Sequence, residues 1–165
     1  MVITAAAVGG DLTVVVTPTA VLAAGYGEPG ALLARLARLT GLDPLRATAA
    51  DLPSHVAAAL RAYGDGDAGA LDAVPVVQPG GEFHQAAWEA MRRIPPGTTI
   101  TYSALAAWAG RPAAVRAAGA ACARNLVAPF VPCHRVLRTD GTLGGYAYGL
   151  DVKRALLAHE RGPQS

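Results

Sequence analysis

The first part of the chain combines short β-branched runs with leucine-rich amphipathic stretches. Residues 12–17 are apolar and β-branched, residues 20–26 are largely apolar, and a proline between the two segments predicts two strands joined as a hairpin. Leucines then recur at helical spacing in residues 31–39 and 52–63, which predicts two helices. Residues 64–81 are rich in Gly, Asp and Pro and are typical of a linker.

The second part of the chain has a helical pattern. Residues 83–93 place Phe83, Trp88 and Met91 on one face, which predicts a helix with that face in the core. Helices are also predicted from about residue 102 to 109, from about 113 to 124 and from about 151 onward, with Gly110 and Pro112 between the second and third. Two helices joined by a tight glycine-containing turn are typical of a helix-turn-helix.

These elements predict an α+β protein of two parts. Residues 1–80 would form a small amino-terminal α/β domain with antiparallel strands and a linker. Residues 81–165 would form a helical domain that carries the helix-turn-helix. The 165 residues are 52% hydrophobic, which is enough for a substantial core.

The composition bears on where the protein is located and on whether it holds a metal or a cofactor. No long uncharged apolar run and no basic leader-like start are present, so we expect a cytoplasmic protein without membrane attachment. Two cysteines do not make a disulfide framework, and residues 1–80 contain no cysteine and only His55. We therefore expect no metal site and no cofactor.

The net charge of +2 hides an asymmetry between the two halves. Residues 1–80 carry four arginines against seven acidic groups, whereas residues 81–165 carry ten basic groups against five acidic ones. A basic half suits a surface that meets phosphates, although an ordinary solvated face would have the same composition.

The strongest chemical signal is the run Pro132-Cys133-His134-Arg135-Val136-Leu137. A cysteine in apolar surroundings is either inert or a nucleophile that its neighbours activate, and the adjoining imidazole and guanidinium favour a nucleophile. In an extended run, Cys133 and His134 would point to opposite faces. The proton would then have to pass through a water.

This run resembles the active-site motif of the O6-alkylguanine-DNA alkyltransferases, which move an alkyl group from damaged guanine to their own cysteine. The resemblance covers nearly all of residues 82–161. The further matching segments, in the family's order, are residues 83–88 (FHQAAW), 94–102 (IPPGTTITY), 111–116 (RPAAVR), 122–125 (CARN), 141–146 (GTLGGY) and 156–160 (LLAHE).

The resemblance implies a set of catalytic residues. Cys133 would be the nucleophile and His134 its base through water, while Glu160 orients the imidazole and Asn125 ties the turn after the third helix to the active-site segment. The thioether that forms cannot be hydrolysed by this chain, so each molecule would act once. The implied function is DNA repair by stoichiometric alkyl transfer.

The resemblance also implies residues that bind DNA and substrate. Arg116 would enter the duplex in place of the flipped nucleotide and Tyr102 would rotate the adjacent phosphate, while a smooth third helix suits the minor groove. The partner would be double-stranded DNA containing O6-alkylguanine, bound by a monomer. The residues assigned to DNA or substrate are Tyr102, Ser103, Ala114, Ala117, Gly119, Arg116, Arg135, Val136, Tyr146 and Ala147.

Less specific interpretations remain open for several of these residues. Arg116 could form a salt bridge on the helix surface, Tyr102 could be a packing residue, and Asn125 could simply end a helix. Cys122 is assigned to packing. Two other functions also compete with alkyl transfer. One is a binding module like the alkyltransferase-like proteins, which lack the cysteine, and the other is a cysteine hydrolase built on Cys133 and His134.

Overall fold

The computed structural model describes residues 1–43 and 49–162 and contains two compact units. The first comprises Met1–Pro79 and Leu126–Phe130, and the second comprises Gly80–Asn125 and Val131–Ser165. Helices and a small antiparallel sheet are both present, so the predicted α+β class is confirmed. The return of residues 126–130 to the first unit has no counterpart in the predicted domain division.

The sheet of the first unit has three antiparallel strands in the order β1-β2-β3. These are β1 (Val2–Ala7), β2 (Gly10–Val16) and β3 (Val21–Tyr26). The hairpin predicted from the sequence is β2–β3. The pattern missed β1, half of which is alanine, a residue with a weak strand preference. The β1–β2 turn depends on Gly9, whose φ of 94° suits glycine.

Two helices of the first unit match their predicted positions. They are α1 (Pro29–Thr40) and α2 (Ser54–Gly64), with a short 3₁₀ turn at Ala49–Asp51 before α2. The predicted linker is partly ordered by the sheet, because the backbone of Val21 bonds to Pro75 and Val77 on either side of Val76. A short run of two valines carries too little periodicity to predict such a pairing.

The second unit contains four helices: α3 (Glu82–Arg92), α4 (Tyr102–Trp108), α5 (Val115–Arg124) and α6 (Leu150–Arg161). The face of α3 that contains Trp88 and Met91 is buried, and the Trp88 indole N–H donates to the Ala121 carbonyl at 2.9 Å. Helix α4 ends at a turn in which Gly110 has a φ of 86°. Helix α5 starts two residues later than predicted.

A two-residue parallel pair fixes the start of α4 beside the cysteine motif. Strand β4 (Ile100–Thr101) pairs with β5 (Val136–Leu137). Thr101 also caps α4, since its hydroxyl accepts from the Ala104 amide at 3.1 Å. Tyr102 is therefore held close to the segment that follows Cys133.

No helix in residues 1–43 or 49–162 is both long and apolar enough to span a bilayer.

Candidate active site

Cys133 begins a 3₁₀ turn, Cys133–Arg135, instead of an extended run. Pro132 fixes the approach, and its carbonyl accepts from the Arg135 amide at 3.0 Å. The extended geometry considered from the sequence is therefore wrong. The separation of the two side chains nonetheless persists, because Cys133 lines a cavity while His134 is fully buried and does not line it.

The cavity beside Cys133 has a volume of about 260 Å³. Its lining comes from α4, α5, the cysteine turn and the loop before α6, all within the second unit. The described lining residues are Tyr102, Gly119, Cys122, Ala123, Asn125, Cys133, Gly145, Tyr146, Ala147 and Tyr148. Six of these belong to the site predicted from the sequence, so residues from four segments converge on the thiol.

Four of the lining residues were not assigned to the site from the sequence, and two of them, Cys122 and Tyr148, have side chains that matter to the cavity. Cys122, assigned only to packing, shares the cavity with Cys133, and burial raises the pKa of its thiol, with a smaller contribution from Cys133. The thiol of Cys122 therefore stays protonated near neutral pH, which makes it a poor nucleophile. Tyr148 packs edge-on against Tyr146 with ring centroids 5.7 Å apart.

Asn125 connects α5 directly to the sulfur. Its side-chain amide donates to the Val131 carbonyl at 2.7 Å and to the Cys133 Sγ at 3.2 Å. A donor aimed at sulfur favours the thiolate over the thiol. Asn125 also ends α5, so both interpretations offered from the sequence are compatible with its position.

His134 and Glu160 form a buried pair, with His134 Nε2 2.8 Å from Glu160 Oε1. Burial lowers the pKa of His134 and outweighs the opposing effect of the carboxylate. Burial would raise the pKa of Glu160, but hydrogen bonds from His134 and Arg135 prevail and bring it to about 2. Near neutral pH the pair is therefore a neutral imidazole and a carboxylate.

The other ring nitrogen of His134 is the important one for chemistry. Nδ1 is buried and has no hydrogen-bond partner among residues 1–43 and 49–162. Since Glu160 is ionised and accepts from Nε2, Nδ1 carries the lone pair. The imidazole is thus in the form of a base.

The structure corrects the assignment of Arg135 to DNA or substrate. Its side chain is 1% exposed and lies away from the cavity. The guanidinium donates to both oxygens of Glu160, at 2.9 and 3.0 Å, and to the Ile94 carbonyl at 2.8 Å. The family resemblance implied contact with DNA or substrate, whereas the Glu160 carboxylate near the end of α6 pairs with the side chain in the interior.

Lys153 is a buried residue of the site that the sequence analysis missed. Its ammonium donates to the Val136 carbonyl at 2.9 Å and to the Leu143 carbonyl at 2.5 Å. It thereby joins the strand after Cys133 to the loop that lines the cavity. The available signal was its spacing, because Lys153, Leu156, Leu157 and Glu160 form one buried stripe on α6.

The residues predicted to meet DNA lie mostly on the accessible side of α4 and α5. Ser103 and Arg116 are exposed, while Tyr102, Ala114, Ala117 and Gly119 are half-buried. Arg116 forms no ion pair within the described part of the chain, which removes the helix salt bridge as its explanation there. Val136 is fully buried and offers only its backbone.

Two further observations concern a metal site and a second reactive cavity. Among the residues described, no group of three or more His, Cys, Asp or Glu side chains is placed to hold a metal ion. A larger cavity of about 630 Å³ lies in the first unit, but none of its described lining residues is a cysteine or histidine. Of these two cavities, only the one beside Cys133 has a thiol nucleophile among its described lining residues.

Comparison with solved structures shows the relationship over nearly the whole chain. A crystal structure of Mycobacterium tuberculosis OGT in complex with DNA is 32% identical, with a TM-score of 0.77 over 97% of this chain and 92% of that chain. A crystal structure of M. tuberculosis O6-methylguanine methyltransferase is 30% identical, with a TM-score of 0.75 over 99% and 94% of the two chains. This chain belongs to the O6-methylguanine methyltransferase family.

Sequence relatives agree with this membership. Residues 82–162 match the family model described as "6-O-methylguanine DNA methyltransferase, DNA binding domain". The methylated-DNA–protein-cysteine methyltransferase of Shigella flexneri is 41% identical over 66% of this chain and 63% of its own length. The bifunctional transcriptional activator/DNA repair enzyme Ada of Escherichia coli is 51% identical over 49% of this chain, which is 23% of that protein. The chain therefore spans less than two thirds of these relatives.

Proposed function

We propose that this O6-methylguanine methyltransferase family member repairs DNA by moving the alkyl group of O6-alkylguanine to Cys133, once per molecule. The observation that carries the proposal is the environment of the sulfur. Cys133 Sγ accepts a hydrogen bond from Asn125 inside a cavity, and the residue that follows it in the chain, His134, is a buried imidazole whose Nδ1 carries a lone pair. A nucleophile, a base and an orienting carboxylate are therefore present together.

The reaction is a displacement at the alkyl carbon. The Cys133 thiol gives its proton to His134 Nδ1 through a water, and the sulfur then forms a bond to the alkyl carbon while the carbon–O6 bond breaks. The electron pair of the broken bond leaves with guanine, which takes up a proton. Tyr102 lines the cavity, and we assign its hydroxyl as the donor to the purine N3; burial raises the pKa of this hydroxyl, so it keeps its proton at neutral pH.

The loop before α6 completes the proposed binding of the base. Tyr146 covers the purine and the Ala147 amide lies near O6, while the Cys133 and Val136 carbonyls accept from the exocyclic amine. The Val136 carbonyl already accepts from Lys153, and its second lone pair leaves room for this bond. The base reaches the thiol only when it is flipped out of the duplex.

DNA is proposed to bind along α4 and α5. Small residues on α5 allow the backbone to approach a minor groove, and exposed Arg116 fills the space of the flipped nucleotide. The chain is proposed to act as a monomer in the cytoplasm. The cysteine hydrolase alternative is not favoured, since His134 Nδ1 has no hydrogen bond to the thiol within the described residues.

Intact-mass spectrometry tests the proposal. After mixing with duplex DNA that contains O6-methylguanine, each chain is expected to gain one methyl group in place of the thiol hydrogen, and the gain saturates at one per chain. Peptide mapping is expected to place the methyl group on Cys133. A Cys122→Ala variant is the matched control and still reacts, whereas Cys133→Ala binds the DNA without reacting. Repeated turnover, or a methyl group on Cys122, contradicts the mechanism.

A further inference from the structure

Arg135 is the largest fully buried side chain among the described residues, and the proposed reaction leaves it unused. It does not line the cavity and is 1% exposed, so neither DNA nor the flipped base reaches it. A buried guanidinium is costly unless it is paired with a charge and hydrogen bonded. Its position in the network around Glu160 therefore calls for an explanation.

The guanidinium binds Glu160 as a fork, with one nitrogen donating to each carboxylate oxygen. Nε donates to Oε2 at 2.9 Å and Nη2 donates to Oε1 at 3.0 Å, while Nη1 is anchored on the Ile94 carbonyl at 2.8 Å. Oε1 is also the atom that lies 2.8 Å from His134 Nε2. One carboxylate oxygen thus joins the arginine and the imidazole.

The direction of these bonds follows from the chemistry of arginine. A guanidinium has donors only, so both oxygens of Glu160 must accept from it. A carboxylate held in this way is ionised and accepts from its third partner as well. His134 must then donate from Nε2, and its lone pair is left on Nδ1.

We propose that Arg135 is a positioning residue that locks the Nε2–H tautomer of His134 and keeps this imidazole uncharged through Glu160. The proposal deepens the proposed function, since it names the residue that makes Nδ1 available as the base. Arg135 touches neither the substrate nor the sulfur in this arrangement. Its effect passes through the carboxylate.

The charges around His134 give the sign of the effect. Glu160 favours the imidazolium, whereas Arg135 in the same turn and Lys153 from α6 both disfavour it, in addition to burial. Loss of Arg135 leaves the carboxylate free to stabilise the imidazolium, so the pKa of His134 rises. A protonated His134 cannot accept the thiol proton, and the reaction slows at the acid end of its pH profile.

The test compares Arg135→Met, which keeps the length without the charge, with Arg135→Lys, which keeps the charge without the fork. The control is Arg154→Met on α6, an exposed arginine paired with Asp151. Two readouts are used: the single-turnover methyl-transfer rate as a function of pH, and the ¹⁵N shifts of the His134 ring. The second readout needs no reaction.

In Arg135→Met we expect the acid limb of the rate profile to move up by about one pH unit or more, with the ring shifts of an imidazolium near neutral pH. Arg135→Lys should move the limb less but show a mixture of ring tautomers, and Arg154→Met should match the parent protein. A rate that falls equally at every pH, with unchanged ring shifts, overturns the proposal and leaves Arg135 a structural role.

Should Arg135→Met fail to fold, Arg135→Lys decides the matter: parental ring shifts and a parental acid limb together overturn the proposal. A failure of the proposed function is distinguishable. In that case the parent protein gains no methyl group on Cys133, whereas the ring shifts still report whether Arg135 sets the tautomer.

Discussion

Glu160 serves two buried partners, so its replacement has a structural as well as a chemical effect. Changing Glu160 to Gln puts an amide against a guanidinium that then lacks a counter-charge. We expect a loss of about 3–5 kcal/mol in the free energy of unfolding, the usual result of breaking a buried pair. Urea unfolding measures this loss of free energy. We also expect methyl transfer to slow by roughly two orders of magnitude, within the range of general-base assistance.

A double-mutant cycle with Arg135→Met separates the two effects. Because the pair is lost in each single variant, the double variant should be clearly more stable than the sum of the single losses predicts. The transfer rate should not recover, because the orienting carboxylate is still absent. Strict additivity of the unfolding free energies would contradict the coupling.

Asn125 is expected to matter to both the backbone and the sulfur. Asn125→Ala leaves the buried Val131 carbonyl without this donor and removes the bond to Cys133 Sγ. The free energy of unfolding should fall by about 1–3 kcal/mol, and the transfer rate should fall with it. Asn125→Asp is the sharper variant, since its carboxylate repels the thiolate. A parental rate in Asn125→Asp would remove Asn125 from the catalytic set.

At the scale of single residues, the sequence predicted the groups of the proposed reaction but not their buried neighbours. Cys133, His134 and Glu160 were proposed because they lie in segments that resemble the family, and the structure brings His134 and Glu160 within 2.8 Å of each other. The inward course of Arg135 and the bonds of Lys153 were not, because a buried cation is defined by the carboxylate or carbonyls that the fold brings to it. Residues 94, 136 and 143 supply those carbonyls from distant parts of the chain.

Among the elements, α5 carries the surface that we propose meets duplex DNA. Arg116→Ala should slow methyl transfer from duplex DNA far more than transfer from free O6-benzylguanine, since only the duplex has to be unstacked, at a cost of a few kcal/mol. The two rates are measured under single-turnover conditions. Arg124→Ala, an exposed arginine at the other end of α5, is the control and should change both rates little. Equal losses with both substrates would remove the flipping role.

The glycine in the middle of α5 offers a second test of this surface. Beyond its chain neighbours and the backbone of its own helix, a Cβ at Gly119 meets no atom within 4 Å, so packing does not require glycine there. Gly119→Ala should therefore raise the free energy of unfolding by about 0.5–1 kcal/mol, because alanine is the better helix residue. Gly119→Leu should weaken DNA binding, measured by fluorescence anisotropy. A leucine variant that binds DNA as tightly as the alanine variant would contradict a close approach at this position.

Elements with strong periodicity were predicted well, and those that depend on pairing were not. The helices follow leucine and alanine patterns that the sequence displays directly. Strand β1, the pairing of residues 75–77 with β3 and the two-residue β4–β5 pair all gain their stability from a neighbouring strand. Such short segments have no periodic signal of their own.

For the whole molecule, acid is expected to weaken the fold through two groups of the second unit. The pKa of His134 lies below its usual 6.5, and that of Glu160 is about 2 against a usual 4.5. Both groups therefore bind a proton more weakly in the folded chain than in the unfolded chain. Stability is therefore lost as the pH falls, first below about 6.5 through His134 and then below about 4.5 through Glu160.

Urea unfolding, followed by the fluorescence of the buried Trp88 at a series of pH values, measures this loss. The parent protein should lose stability steadily as the pH falls from about 7 to 5, where only the histidine contributes among these two groups. His134→Gln has no proton to take up in that range, so its curve should be flatter there, while the decline below about 4.5 persists because Glu160 is still paired with Arg135. If both proteins show the same slope between about pH 7 and 5, the imidazole is not held neutral by the fold, and the base assigned to the reaction loses its physical support.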